Sequence, residues 1–193
     1  MSFTAKEKEP LLSEKIQNVI KRVLQEDVPI NKASFNNTND ILRIKMKIFE
    51  IFLHNEDILR ALHHPTYSLS ESLSPDLFRY TSIFPYLQVP LDKSDVKNYL
   101  CFEVSTQGEG KLARNKLVVR IICHQEEMET DWGLPRTDLI SMIIAEEIDW
   151  TLTFGGSLKK VSDGAGIFSS GYFYRDLIYE QHSANNVYQY VNK

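Results

Sequence analysis

The sequence has little of what marks secreted, membrane-spanning or nucleic-acid-binding proteins. Two cysteines among 193 residues are too few for a disulfide framework, and the charged N-terminus does not resemble a signal peptide. No apolar run is long enough to span a bilayer. The formal net charge of −4, without a basic stripe, argues against nucleic acid as the main ligand. We therefore expect a globular protein made in the cytosol.

Cys101 and Cys123 fall in two apolar stretches that are predicted to be strands. These strands can pair, which leaves open how close the two thiols lie. Because no secretion signal is present, we expect reduced thiols buried in a core.

Signatures of common catalytic chemistry are missing from the sequence as well. There is no G-x-S-x-G elbow for a nucleophilic serine. The fragments "GEG" and "GAG" lack the helix and lysine that a phosphate-binding loop requires. The sequence predicts that the protein is not an enzyme and needs no cofactor.

The first part of the chain carries helical patterns. Apolar residues recur at helical spacing over residues 11–25, and two further helices are predicted near 39–54 and 55–63. Residues 65–98 hold four of the seven prolines, which indicates an extended segment that packs its aromatic side chains. We divide the chain into a helical segment (1–64), a proline-rich segment (65–98) and an α/β domain (99–193).

The last part carries strand patterns around one helix. "YLCFEVS" (99–105) and "KLVVRIICH" (116–124) alternate apolar and other residues. A helix is predicted over 136–151 with Pro135 as its first residue, followed by strands "SLKKVS" and "GYFYRDLIYE" separated by a turn at "DGAG". This β-β-α-β-β order predicts an α+β fold, with a mostly antiparallel sheet, a helix packed on one face and two or three helices before it.

The stretch after the second strand is the sharpest candidate for chemistry. A histidine and four acids lie close together there: His124, Glu126, Glu127, Glu129 and Asp131. Such side chains bind hard divalent ions, so one hypothesis is a metal-dependent nuclease or phosphodiesterase. Metal sites, however, usually draw ligands from several elements, and these acids all lie in one stretch. A solvated tip or an interface is the favoured interpretation.

Other candidate residues have two interpretations each. His63 and His64 are adjacent on a helix and do not converge on a metal, so a role at the helix end is favoured. Arg120 and Arg175 interrupt apolar strands, which predicts pairing with carboxylates or a contact across subunits. Aromatic residues also occupy both faces of the last strand, where they cover either the core or a partner: Tyr172, Phe173, Tyr174 and Tyr179.

The order of these features resembles a known group of phage proteins. "YTSIFPYLQVP", "YLCFEVS", "LVVRIICHQEEMETDWGLPRTDLISMIIAEEIDW" and "GYFYRDLIYE" follow one another as in tail-terminator and head–tail connector (neck) proteins of long-tailed bacteriophages. The resemblance covers roughly residues 80–182. His124 matches the histidine at the strand end, Gly133 the loop glycine, and Arg136 and Asp138 the "R-x-D" at the helix start. The helical N-terminal part is larger than in a minimal terminator.

The resemblance implies a virion protein that forms a closed ring, commonly of six copies, on the tail tube. Its implied partners are further copies of itself, the tail tube protein and a head-side connector or stopper protein, while DNA passes through the channel without specific binding. The 106–115 hairpin or the 125–134 loop is expected to reach a neighbour. A competing hypothesis is a monomeric adaptor that binds through residues 65–98. The residues we assign to the interface are His124, Trp132, Gly133, Arg136, Asp138, Tyr172, Tyr174 and Arg175.

Overall fold

The chain folds into helices packed on a five-stranded sheet. The computed structural model describes residues 38–63, 74–88, 97–107, 114–148, 154 and 158–181. The predicted helix over 11–25 and residues 108–113 of the predicted 106–115 hairpin lie outside these residues. The helices and strands are α1 (Thr38–His54), α2 (Glu56–Leu62), β1 (Ile83–Phe84), β2 (Asn98–Gln107), β3 (Arg114–His124), α3 (Arg136–Glu147), β4 (Leu158–Ser169) and β5 (Tyr172–Gln181).

The sheet has the strand order β1-β2-β3-β5-β4. The two-residue strand β1 runs parallel to β2, and the other neighbouring strands are antiparallel. The predicted α+β fold with a mostly antiparallel sheet is therefore confirmed. Strand β3 lies at the centre, and β4 forms one lateral edge.

The main core lies between the helices and one face of the sheet. Leu100 and Phe102 of β2 face this core, as the alternation predicted. The predicted inward face of β3 is buried too, through Leu117, Val119, Ile121 and Cys123. On α1, the rings of Phe49 and Phe52 lie 6.2 Å and 5.3 Å from the ring of Phe102. Helices α1 and α2 thus share one core with the sheet of the same chain.

Helix α2 has well-defined ends. The Asn55 side chain accepts a hydrogen bond from the backbone N–H of Ile58 at 3.0 Å, which caps the first turn. His63 ends the helix in the left-handed conformation, with φ 48°. The amide of Asn98 then donates to the Leu62 carbonyl at 3.0 Å. The helix-end role predicted for His63 is confirmed, while His64 lies outside the described residues.

A second, smaller apolar cluster covers part of the opposite face of the sheet. It consists of Phe84, Tyr99, Cys101 and Ile122, with Tyr172 and Tyr174 packed against it. Phe84 and Phe78 belong to the proline-rich segment and are both buried. The prediction that this segment packs its aromatics is therefore confirmed for Phe78 and Phe84, whereas Tyr80 and Tyr86 are exposed.

One predicted turn is wrong. "DGAG" does not separate two strands, because it lies inside β4, and the chain turns at Ser170–Gly171 instead. Gly171 supplies the positive φ of that turn (78°). Gly166 has a different purpose, since a Cβ there would lie 2.8 Å from the ring of Tyr174. A glycine in a strand can permit a close approach as well as a turn.

The predicted bounds of the helix after Pro135 also need correction. Pro135 precedes the helix as its N-cap residue, and α3 begins at Arg136. The helix ends at Glu147, and Ile148 is already extended (φ −106°, ψ 114°). Helical spacing places Leu139, Ile140, Ile143, Ile144 and Ile148 on one face, and all of them are buried except Ile143, which is partly buried against the same core.

The reactivity of the two cysteines tests whether both apolar clusters exclude solvent. Both are free and buried, and burial raises the pKa of Cys101 and of Cys123 from 9.0 to about 12. We expect neither thiol to react with a thiol reagent at about pH 8 unless the chain is unfolded. Thiol titration with and without denaturant measures this, and fast labelling of the native chain would contradict it.

The raised pKa values of the two thiols also predict how the unfolding free energy changes at alkaline pH. The folded chain keeps thiol protons that the unfolded chain loses above pH 9.0, so stability falls between that pH and about 12. Replacing both Cys101 and Cys123 with serine should remove this pH-dependent loss of stability, which denaturant titrations at several pH values measure.

Candidate functional site

The loop between β3 and α3 is tied together by its own hydrogen bonds. The Thr130 hydroxyl donates to the Leu134 carbonyl at 2.6 Å, and the Gly133 N–H donates to the Thr130 carbonyl at 3.0 Å. At its two ends, the Gln125 N–H donates to the Gly171 carbonyl at 2.8 Å and the Arg136 N–H to the Met128 carbonyl at 2.7 Å. These contacts give the loop a fixed shape.

The tip of this loop carries exposed apolar side chains. Trp132 is 69% exposed and Leu134 is 40% exposed. Gly133 between them has φ 72°, and a Cβ built there would contact nothing within 4 Å. Tryptophan is highly buried on average, so one held open to solvent on a fixed loop marks a candidate contact surface.

Arg136, assigned to the interface from the sequence, lies beneath this loop. Only 8% of the residue is exposed. Its Nε donates to the Glu127 carbonyl at 2.5 Å, and its Nη1 donates to the Ala61 carbonyl at 2.6 Å. Arg136 therefore joins the end of α2 to the base of the loop. The prediction that Arg136 contributes to an interface stays a prediction. Since the side chain is buried, it would contribute by holding the exposed loop in place.

His124 packs at the end of β3. Its ring lies 4.7 Å from the ring of Tyr172, and its Nδ1 accepts the Glu126 N–H at 3.4 Å. A Cβ at Gly171 would lie 2.9 Å from His124 Nε2, so the imidazole is fitted against the β4–β5 turn. The contacts of His124 and Tyr172 are those of a packed strand end.

The acids that follow His124 point to different partners. Lys97 bonds Glu126 at 2.5 Å, and this hydrogen bond lowers the pKa of the Glu126 carboxyl. Glu127 lies 2.8 Å from the imidazole of His63. Over the residues that the structure describes, no group of three His, Cys, Asp or Glu side chains is arranged to hold a metal ion. The ligand set of the metal hypothesis does not assemble within that part of the chain.

Arg175 binds two carboxylates on the helix side of the sheet. Its Nη1 lies 2.6 Å from Asp138 of α3, and its Nε lies 2.8 Å from Asp163 of β4. Burial alone would raise the pKa of Asp163, but hydrogen bonds from Lys160 and Arg175 lower it overall. Asp138 and Arg175, both assigned to the interface, thus fasten α3 to the sheet.

Arg120 makes the equivalent pair on the other face. Its Nε and Nη2 each donate to the Asp176 carboxylate at 2.7 Å, and these bonds raise the pKa of Arg120. The guanidinium also lies 5.1 Å from the ring centre of Tyr174, which packs over Gly166. The predicted pairing of both arginines with carboxylates is confirmed, and it occurs within one chain.

The sequence reasoning missed the exposed edge of the sheet. Strand β4 spans twelve residues and is paired with β5 on one side only, as far as the described residues reach. Its Val161 and Ile167 are exposed, the latter by 73%. The strand was not predicted at its full length, because the two glycines of "DGAG" indicated a turn in the middle of it.

Comparison with known proteins places most of these elements in one family. The model of the YomW family matches residues 55–181, from the cap of α2 to the end of β5. The family name suggests a phage-derived protein of the Bacillus prophage type. No curated protein matches the chain. Among the described residues, no helix is both long and apolar enough to cross a membrane.

Replacing Arg136 tests its role beneath the loop. Arg136→Ala leaves the carbonyls of Ala61 and Glu127 without their buried donor, and we expect a loss of about 3 kcal/mol in unfolding free energy. Urea denaturation measures this. The exposed cation Lys159 offers a control, because Lys159→Ala should change stability by no more than about 0.5 kcal/mol. Equal stability of both variants would contradict the role.

Proposed function

This chain belongs to the YomW family, and on that premise we propose that it is a structural virion protein of the phage neck. It forms a closed ring, for which we expect six copies, that ends the tail tube and joins the tail to the head-side connector or stopper. It assembles in the host cytoplasm and catalyses no reaction. The phage-derived character that the family name suggests supports this proposal.

The observation that carries the proposal is the open edge of β4. A long strand with one unpaired side and exposed apolar side chains tends to pair with another chain. Soluble monomers usually keep such edges short or covered. In β4, the ladder with β5 shifts register between Lys160 and Ser162 and between Ile167 and Ser169, and irregularities of this kind protect an edge from indiscriminate pairing. An edge of this kind suits a specific partner.

The opposite edge of the sheet supports a ring rather than a simple pair. The end strand on that side is the two-residue strand β1, which pairs with Leu100 and Cys101 of β2. The two ends of the sheet, β1 and β4, differ from each other, and two different edges allow head-to-tail contacts. Such contacts close into a ring when the rotation per subunit permits it.

The charge of the chain suits a ring around DNA. A net charge of −4 gives no general attraction for phosphates. DNA can then pass through the channel without specific binding, while the ring contacts its protein neighbours.

Self-association of the purified chain tests the ring. We expect light scattering to give a multiple of 22.4 kDa and negative staining to show rings. Val161→Lys together with Ile167→Lys places charge on the β4 edge, so it should return the chain to the monomer mass without unfolding it. Met142→Lys, at an exposed position on α3, is the matched control.

Rings that form only on the tail tube would leave the purified chain monomeric, so virion composition is measured as well. A wild-type chain that is monomeric in solution and also absent from purified particles would contradict the proposed function.

A further inference from the structure

We propose that the β3–α3 loop is a preformed plug that inserts into an apolar recess rimmed by lysine or arginine, on a protein stacked against the ring. The plug consists of residues 129–134. This inference rests on the proposed function, because it names the surface chemistry of the stacked partner.

The first support is that the plug is ordered before it binds. Its hydrogen bonds span Thr130 to Leu134, and Arg136 holds its base against α2. Ordering a loop on binding costs free energy, and a loop that is already fixed avoids most of that cost. A fixed loop also presents the same side chains to every partner molecule.

The second support is the aromatic tip. Trp132 has most of its surface in solvent, and Leu134 lies two residues further along the same loop. Tryptophan is enriched among the residues that dominate binding, especially when it fills a pocket on the partner. An apolar recess is the complement of such a side chain.

The third support is the charge around that tip. Residues 125–135 contain four acids and no lysine or arginine. Glu126 and Glu127 are bound by Lys97 and His63, whereas Glu129 and Asp131 are exposed and join no ion pair within the described residues. Two acids that join no ion pair among the described residues therefore precede Trp132 in the loop, and a basic rim would complement them.

The position of the plug separates it from the contacts between copies. The loop leaves the end of β3 and is bonded to Gly171 in the β4–β5 turn, so it lies at the strand ends. The proposed ring contact uses the lateral edges instead. A second copy is also a poorer complement overall, since its net charge is −4.

Photo-crosslinking from the tip identifies what the plug contacts. Trp132→benzoylphenylalanine keeps an aromatic side chain at the position, and irradiation is carried out in cells that produce the particles. We expect a crosslink to a different protein, at a peptide with apolar and Lys or Arg residues, identified by mass spectrometry. Benzoylphenylalanine at position 159, on the β4 edge, provides the control for contacts between copies.

Charge reversal then tests the basic rim. Asp131→Lys should reduce the yield of that crosslink at least about tenfold, whereas Glu146→Lys, an equal change on exposed α3, should not. A crosslink from position 132 to another copy of the chain, or none at all, would overturn the plug. So would an acidic or neutral target peptide.

The two proposals fail in distinguishable ways. A chain found in purified particles but crosslinked at position 132 to its own copies would refute the plug alone. A chain missing from particles, yet crosslinked in the cell to a basic surface on another protein, would refute the neck assignment alone.

Discussion

The guanidinium of Arg136 is the point at which three parts of the chain meet. It donates to main-chain carbonyls at Ala61 and Glu127, which belong to the end of α2 and to the short helical turn after β3. Since a charged group so far from solvent needs good partners, its geometry fixes how these segments lie relative to one another. The exposed loop takes its position from this buried contact.

The two faces of the sheet are stabilised by different means. The helix side is a broad apolar core, fastened at its rim by Arg175 with Asp138 and Asp163. The other side has a small aromatic cluster and the Arg120–Asp176 pair. The first face therefore depends mainly on a large area of hydrophobic burial, and the second combines a smaller buried cluster with a charge-assisted pair.

Alternation of side chains was the signal that made most of the fold predictable. Residues 117–123 have a period of two and α1 has a helical stripe, so their elements and buried faces could be read directly. "DGAG" misled because glycine serves both turns and close approaches, and only the ring of Tyr174 decides between these uses. The residues next to Gly166 in the sequence do not reveal its contact with the ring of Tyr174.

The candidate site was predictable in place but not in detail. The acids, Trp132 and Gly133 drew attention to the right loop. The sequence could not show that Arg136 turns inward or that Glu126 and Glu127 are bound by residues far away in the chain. Such pairings depend on how elements meet in three dimensions, and no spacing rule within one segment reveals them.

The placement of the two sulfur atoms has a consequence for the chain outside a reducing environment. Cys101 and Cys123 lie on neighbouring strands but point to opposite sides of the sheet, so the backbone between them keeps their sulfurs from bonding. Exposure of the chain to air would therefore form no disulfide bond within it. The stability of the folded chain under oxidising conditions would therefore depend on non-covalent packing and on contacts with neighbouring molecules.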